Sequence, residues 1–216
     1  MSDRTYQTSP QDWREIRPVF AGIYPRASYP VDEALFMTFR FELCEEVSAE
    51  CLSAAWEKTL KAYPYAAYAV QRRENRFVFT ENPLPFVVKE SDDVIKPFGE
   101  EGNFHTVTFG YKGNILNIYA DHVPYDGTGF NLVMETLFYH YYCKLDGVEY
   151  PVPEGLYTGQ EGAMPGQEED AFLRAAPLQR EKPFGAEEAF TIPEGEKETG
   201  AFGEGSCKTF LVSIPS

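Results

Sequence analysis

Asp121-His122-Val123-Pro124-Tyr125-Asp126-Gly127-Thr128-Gly129-Phe130 (DHVPYDGTGF) closes an apolar run and opens a stretch in which large apolar residues recur every three or four positions. Two readings are open for it. It is either a plain turn between a strand and a helix, with an ordinary packed or surface histidine, or a turn built to present a catalytic base. His122 stands at the end of the predicted strand, where a side chain can be held rigidly against a cleft. An imidazole there can take a proton from a hydroxyl or an amine near neutral pH. Asp126, past Pro124, can accept a hydrogen bond from the ring or fix the loop by pairing with an arginine elsewhere. Gly127 and Gly129 are expected to allow positive φ and a close approach of substrate to the backbone. The helix that follows points its N-terminus at this region, which favours developing negative charge.

Working outward, Phe104–Tyr111 and Ile115–Ala120 predict a hairpin across Lys112-Gly113-Asn114, and its second arm runs into Asp121-His122. Beyond the glycines, Phe130, Val133, Met134, Leu137, Phe138, Tyr141 and Tyr142 predict an amphipathic helix of about four turns. Upstream, residues 35–43 read as a strand. Ser48 is placed to cap a helix over 49–62, with Val47 and Leu52 as a hydrophobic staple and Pro64 as its stop. Tyr68–Gln71 and Phe77–Phe79 predict a second hairpin, and Phe86–Val88 a short strand. Residues 1–30, punctuated by Pro10, Pro18, Pro25 and Pro30, read as an irregular lead-in. The acidic, Gly- and Pro-rich segment 161–205 reads as a mobile loop or linker, and Thr209–Ile214 as a strand.

Composition narrows the classes. The chain has 216 residues, with 43% hydrophobic and 15% aromatic, which is globular. The abundance of Phe (17) and Tyr (14) suggests a sheet-rich core or an aromatic-lined cleft. A net charge of −15 argues against nucleic acid and against an anionic membrane surface. Cys44, Cys51, Cys143 and Cys207 have neither CxxC spacing nor histidine neighbours, so no metal site is expected. No apolar run reaches membrane-spanning length, and the polar N-terminus does not resemble a signal peptide, so a cytoplasmic protein is expected. His105 in a strand and His140 on the long helix are expected to be structural. Neither a GxSxG nucleophile elbow nor a phosphate-binding loop is present, and the acids Glu168-Glu169-Asp170 fit no calcium loop.

Strand, then His122-Val-Pro-Tyr-Asp126-Gly127, then an amphipathic helix resembles the HxxxDG motif of the CoA-dependent acyltransferase superfamily. That superfamily includes chloramphenicol acetyltransferase, the condensation domains of nonribosomal peptide synthetases and alcohol acetyltransferases. The upstream helix ending Ala62-Tyr63-Pro64, followed by a hairpin, is similar to the segment that precedes the motif in condensation-type members. The resemblance covers about residues 31–145. It implies an α/β (α+β) two-layer sandwich, with a mixed, largely antiparallel sheet and helices on one face. It also implies acyl transfer from acetyl-CoA, another acyl-CoA or a carrier-protein thioester to an alcohol or amine, with no bound cofactor. His122 would be the general base, Asp126 would orient the loop, and Gly127 would keep the channel floor clear. Tyr125 and Thr128 would be candidates to line that channel.

Two departures shape the expectation. Condensation domains carry a second histidine just before the catalytic one, and Asp121 stands there, which favours the alcohol- or amine-acetyltransferase type. The motif also lies at mid-chain, as in the N-terminal lobe of two-lobe members. The expected layout is therefore a lobe over 1–160, a linker over 161–205 and, over 206–216, a strand leading into a second lobe that is absent. The oxyanion-stabilising group, not identifiable in the chain, would come from that lobe. An exposed half-tunnel would favour homo-oligomers, including a trimer that completes the site in trans. The competing expectation is a non-catalytic binding lobe that retains the fold.

Overall fold

The computed structural model describes residues 12–18, 36–73 and 76–167, all within a compact unit spanning Met1–Ala175. The expected strand at 209–214 and most of the expected linker lie outside the described residues. Strand β2 (Phe36–Glu42), helix α1 (Ala49–Ala62), and strands β3 (Ala69–Arg73), β4 (Arg76–Thr80) and β5 (Val88–Glu90) are followed by β6 (Val107–Lys112), β7 (Ile115–Asp121) and helix α2 (Gly127–Asp146). Before them comes β1 (Glu15–Pro18), inside the segment expected to be irregular. It forms the edge of a three-stranded sheet ordered β1-β4-β3, where a proline is tolerated at the strand end.

The second sheet has the order β2-β7-β6-β5. Its pairs are antiparallel except for the parallel pair β5–β6. The register sets Met37 opposite Ala120, Phe39 opposite Ile118 and Phe41 opposite Leu116, then Ala120 opposite Val107 and Ile118 opposite Phe109. Because side chains alternate along a strand, these residues share one face. Both helices cover it, burying Leu52, Trp56, Phe130, Val133 and Leu137 against Phe109, Leu116 and Ile118. The architecture is the expected two-layer sandwich with a mixed, largely antiparallel sheet.

Each helix is delimited by local chemistry. Ser48 Oγ accepts from Cys51 N at 3.2 Å and caps α1, with Val47 and Leu52 buried in one cluster as a staple requires. Pro64 lacks an N–H, and the chain tightens into a 3-10 turn over Pro64–Ala67. Helix α2 is longer than expected, at 20 residues, because it starts at Gly127 rather than after Gly129 and runs on to Asp146. It ends where Gly147 turns left-handed (φ 63°) and donates to Cys143 O. The two helices are tied by Tyr141, whose hydroxyl accepts from Ser48 N at 3.0 Å.

The segment after α2 folds back along it. Thr136 Oγ1 donates to Tyr157 O at 2.8 Å, and Met164 N donates to Ala62 O at 2.9 Å. Gly159 approaches α1 so closely, at φ +83°, that a Cβ there would lie 2.9 Å from Ala62 N. Asn103 and Phe104 take φ of 51° and 60°, so the expected strand at 104 begins only at Val107.

Trp56 is 1% exposed and meets Phe109 edge-on with ring centroids 5.0 Å apart, joining the helix layer to the sheet. Trp56→Ala is expected to cost about 3–5 kcal/mol, read as a lowered urea midpoint with an unchanged slope. A loss below 1 kcal/mol would remove this contact from the centre of the core.

Candidate functional site

Strand β7 ends at Asp121, and the next five residues return the chain to the helix layer. Asp121 is 1% exposed; its N–H donates to Thr106 O at 2.8 Å and its Oδ1 accepts from Val123 N at 3.1 Å. Val123 is buried against Val70 and Phe79 of the three-stranded sheet. Tyr125 is buried as well, its ring 4.9 Å from Phe130 and 5.4 Å from Tyr65. Between the buried Asp121 and Val123, His122 is exposed, and its imidazole has no hydrogen-bond partner among the described residues. The backbone on either side is thus held by burial and hydrogen bonds while the ring is left free to meet a ligand.

Among the described residues, no hydrogen bond or ion pair joins Asp126 to the histidine ring or to an arginine. Its Oδ1 accepts from Gly129 N at 2.6 Å, and its carbonyl accepts from Phe130 N at 3.0 Å, which makes it the N-cap of α2. The expected positive φ at Gly127 and Gly129 is corrected too, since both lie in the first turn of that helix. A Cβ at Gly129 would crowd Asp126 Oδ1 at 3.1 Å, whereas one at Gly127 would meet nothing within 4 Å. Gly129 therefore serves the cap, and Gly127 borders open space. Tyr125 does not line a channel, being buried, while Thr128 is exposed.

Sequence reasoning missed the group that supports the turn. Thr106 Oγ1 lies 3.4 Å from Ala66 O and 3.2 Å from the Tyr125 hydroxyl. The threonine proton goes to the carbonyl, so the phenol donates to Thr106. Burial, then the neighbouring Tyr65, raises Tyr125 well above the ordinary tyrosine value. Tyr65 is itself pushed up to about 12, first by burial and then by Tyr63 and Asp126. Both phenols stay protonated and act as packing and donor groups. The partner of Tyr125 is a side chain 19 residues away, outside the reach of any local pattern.

The other two histidines are built into the scaffold. His105 Nε2 donates to Leu84 O at 3.0 Å and His140 Nε2 donates to Thr158 O at 2.8 Å. Burial is the main effect lowering both below the ordinary imidazole value. No group of His, Cys, Asp and Glu suited to a metal occurs among the described residues, and no helix there is long and apolar enough to cross a membrane. A groove of about 570 Å³ lies along α2 between Phe41 and the segment after the helix, and His122 does not line it.

The chain matches no family model and no curated protein. Among solved structures it is similar to polyketide synthase associated protein 5 from Mycobacterium tuberculosis, at 15% identity over 64% of this chain and 36% of that one, with a TM-score of 0.50. It also matches TRI101 from F. graminearum complexed with coenzyme A and T-2 mycotoxin (14% identity, 65% and 41% covered, TM-score 0.41). A third match is the condensation domain that mediates chain release from the enacyloxin polyketide synthase (13% identity, 71% and 35% covered, TM-score 0.40). The first likeness shows a shared fold, and the chain spans about a third of that structure's length.

Two tests follow from this geometry. Asp126→Ala is expected to lose about 1 kcal/mol of stability, and Asp126→Asn, which can still accept from Gly129 N, much less. Equal losses would mean the carboxylate's charge, not its capping oxygen, matters. For His105 and His140, the folded values lie below those of the unfolded chain, so the unfolded state takes up protons first on acidification. Their contribution is complete above pH ~6.5 and is lost as pH falls from there through the folded values. The urea midpoint should fall between pH 7 and 5.5, and the slope should flatten in H105Q/H140Q; an unchanged slope would assign the loss to other groups.

Proposed function

We propose that the protein acts in acyl transfer from a thioester to a hydroxyl or amine, with His122 as the general base. The observation that carries this reading is the presentation of His122: an exposed imidazole at a strand end, fixed by a buried residue on each side and followed by a capped helix. The fold held in common with polyketide synthase associated protein 5 and the HxxxDG pattern support it.

In this mechanism the unprotonated imidazole nitrogen takes the proton of the acceptor as its oxygen or nitrogen attacks the thioester carbonyl. The tetrahedral intermediate carries the charge on its oxyanion. Collapse breaks the carbon–sulfur bond, and the departing thiolate takes the proton back from the imidazolium, leaving ester or amide, free thiol and neutral histidine. Asp126 contributes by holding the start of α2, not by relaying protons. Acetyl-CoA, or a carrier-protein thioester of the same chemistry, is the proposed donor.

The test is His122→Ala in the full-length protein, assayed for thiol release from acetyl-CoA with a panel of alcohols and amines. Because His122 is exposed, the variant should fold and melt as the parent does. Its kcat should fall by about 10²–10⁴. Undiminished turnover in the variant would sink the general-base role. A parent that is inactive with every donor and acceptor, while binding one of them, would favour a lobe that binds without catalysing.

A further inference from the structure

The groove along α2 is built from aromatic rings and acids. Phe138 meets Phe41 edge-on at 4.8 Å and lies parallel to Tyr142 at 6.4 Å, so the three rings form a continuous wall. Tyr150 closes the opposite side, held in place because its hydroxyl donates to Asp146 Oδ2 at 2.7 Å and its carbonyl accepts from the Tyr139 hydroxyl at 2.9 Å. These bonds use the hydroxyl protons of Tyr139 and Tyr150 within the protein, leaving their rings to face a ligand.

The charged groups lining the groove are Glu135 and Glu154, and no Lys, Arg or His lines it. Both carboxylates are exposed, and neither is paired with a base among the described residues. Tyr142 and Tyr150 are 38% and 44% exposed, so their rings can be reached from solvent. A volume of about 570 Å³ suits a small organic molecule.

We propose that this groove binds a small organic cation carrying an apolar or aromatic body, at a site separate from the His122 turn. The negative faces of aromatic rings attract an ammonium group, and the two carboxylates supply its counter-charge. The same acids oppose an anionic ligand, including the phosphates of an acyl-CoA. The inference does not rest on acyl transfer.

The test uses the full chain and three probes: benzyltrimethylammonium, its uncharged isostere neopentylbenzene, and benzoate. Binding is read by NMR line broadening and by calorimetry. The cation is expected to bind, the isostere more weakly, and benzoate not at all. Tyr142→Ala should weaken the cation about two- to fivefold. E135Q/E154Q should weaken it at least fivefold while leaving the isostere unchanged. His122→Ala should leave cation binding unaltered, so that failure of either proposal is distinguishable from failure of the other. Absence of cation binding, equal affinity for cation and isostere, or insensitivity to the double substitution would each overturn the proposal. So would a dimer in gel filtration that E135Q/E154Q or Tyr142→Ala dissociates, since the groove would then be filled by a second copy.

Discussion

A phenol buried as deeply as that of Tyr125 must find a partner for its proton, and the partner it finds is Thr106, at the foot of the strand beside the one carrying His122. Thr106 also takes the Asp121 amide on its carbonyl and passes its own hydroxyl proton towards Ala66 O in the 3-10 turn after α1. One residue thereby joins the end of β7, the start of α2 and the turn after α1. The ring of Tyr125 fills the space between them, against Tyr65 and Phe130. Remove this junction and the residues flanking His122 lose the contacts that hold the turn. Asp121, Val123 and Tyr125 are buried and hold it, while His122 is exposed between them.

Most of what delimits the elements is local, and so was legible. Ser48 caps α1 three residues ahead of the amide it meets, Pro64 ends the helix by its missing N–H, and the Lys112-Gly113-Asn114 turn closes a hairpin of adjacent strands. What could not be read depends on partners far along the chain. Strand β1 exists because Glu15, Arg17 and Pro18 lie opposite Thr80, Phe79 and Val78, and nothing within its four residues announces that pairing. The parallel strand β5 likewise takes its register from β6, which shifted it two residues from its apolar centre. At Phe104 a periodic apolar pattern pointed to strand, but hydrogen bonds from Asn82 and Asn103 draw the chain into a left-handed turn instead.

The site divides along the same line. His122 and Asp126 were visible because their spacing is local, and so was the helix that follows. The function assigned to the glycines was not, since a Gly-x-Gly pair reads as permission for positive φ until the N-cap places both residues inside a helix. Asp126 had two candidate partners in sequence terms, the histidine ring and a distant arginine, and the structure gives it instead the amides of the next turn. Geometry favours the amides because an Asx residue at the start of a helix finds an unsatisfied donor three residues on at almost no cost in chain entropy.

Helix α2 carries a further consequence of its composition. The recurrence of Phe130, Val133, Met134, Leu137, Phe138, Tyr141 and Tyr142 is wider than the stripe that one sheet can cover. Phe130, Val133, Leu137 and Tyr141 go into the core, while Phe138 and Tyr142 fall to the side, where Phe41 at the sheet edge reaches only the first of them. The segment 148–157 returns along this flank, anchored by Thr136 at Tyr157 and by Tyr139 at Tyr150, and with Tyr142 it lines the groove. Val148 and Val152 face solvent, while Tyr150, Pro151, Pro153, Glu154 and Leu156 line the groove. The hydrogen bonds that Tyr150 makes with Tyr139 and Asp146 fix this wall, so the binding surface proposed here would be preformed.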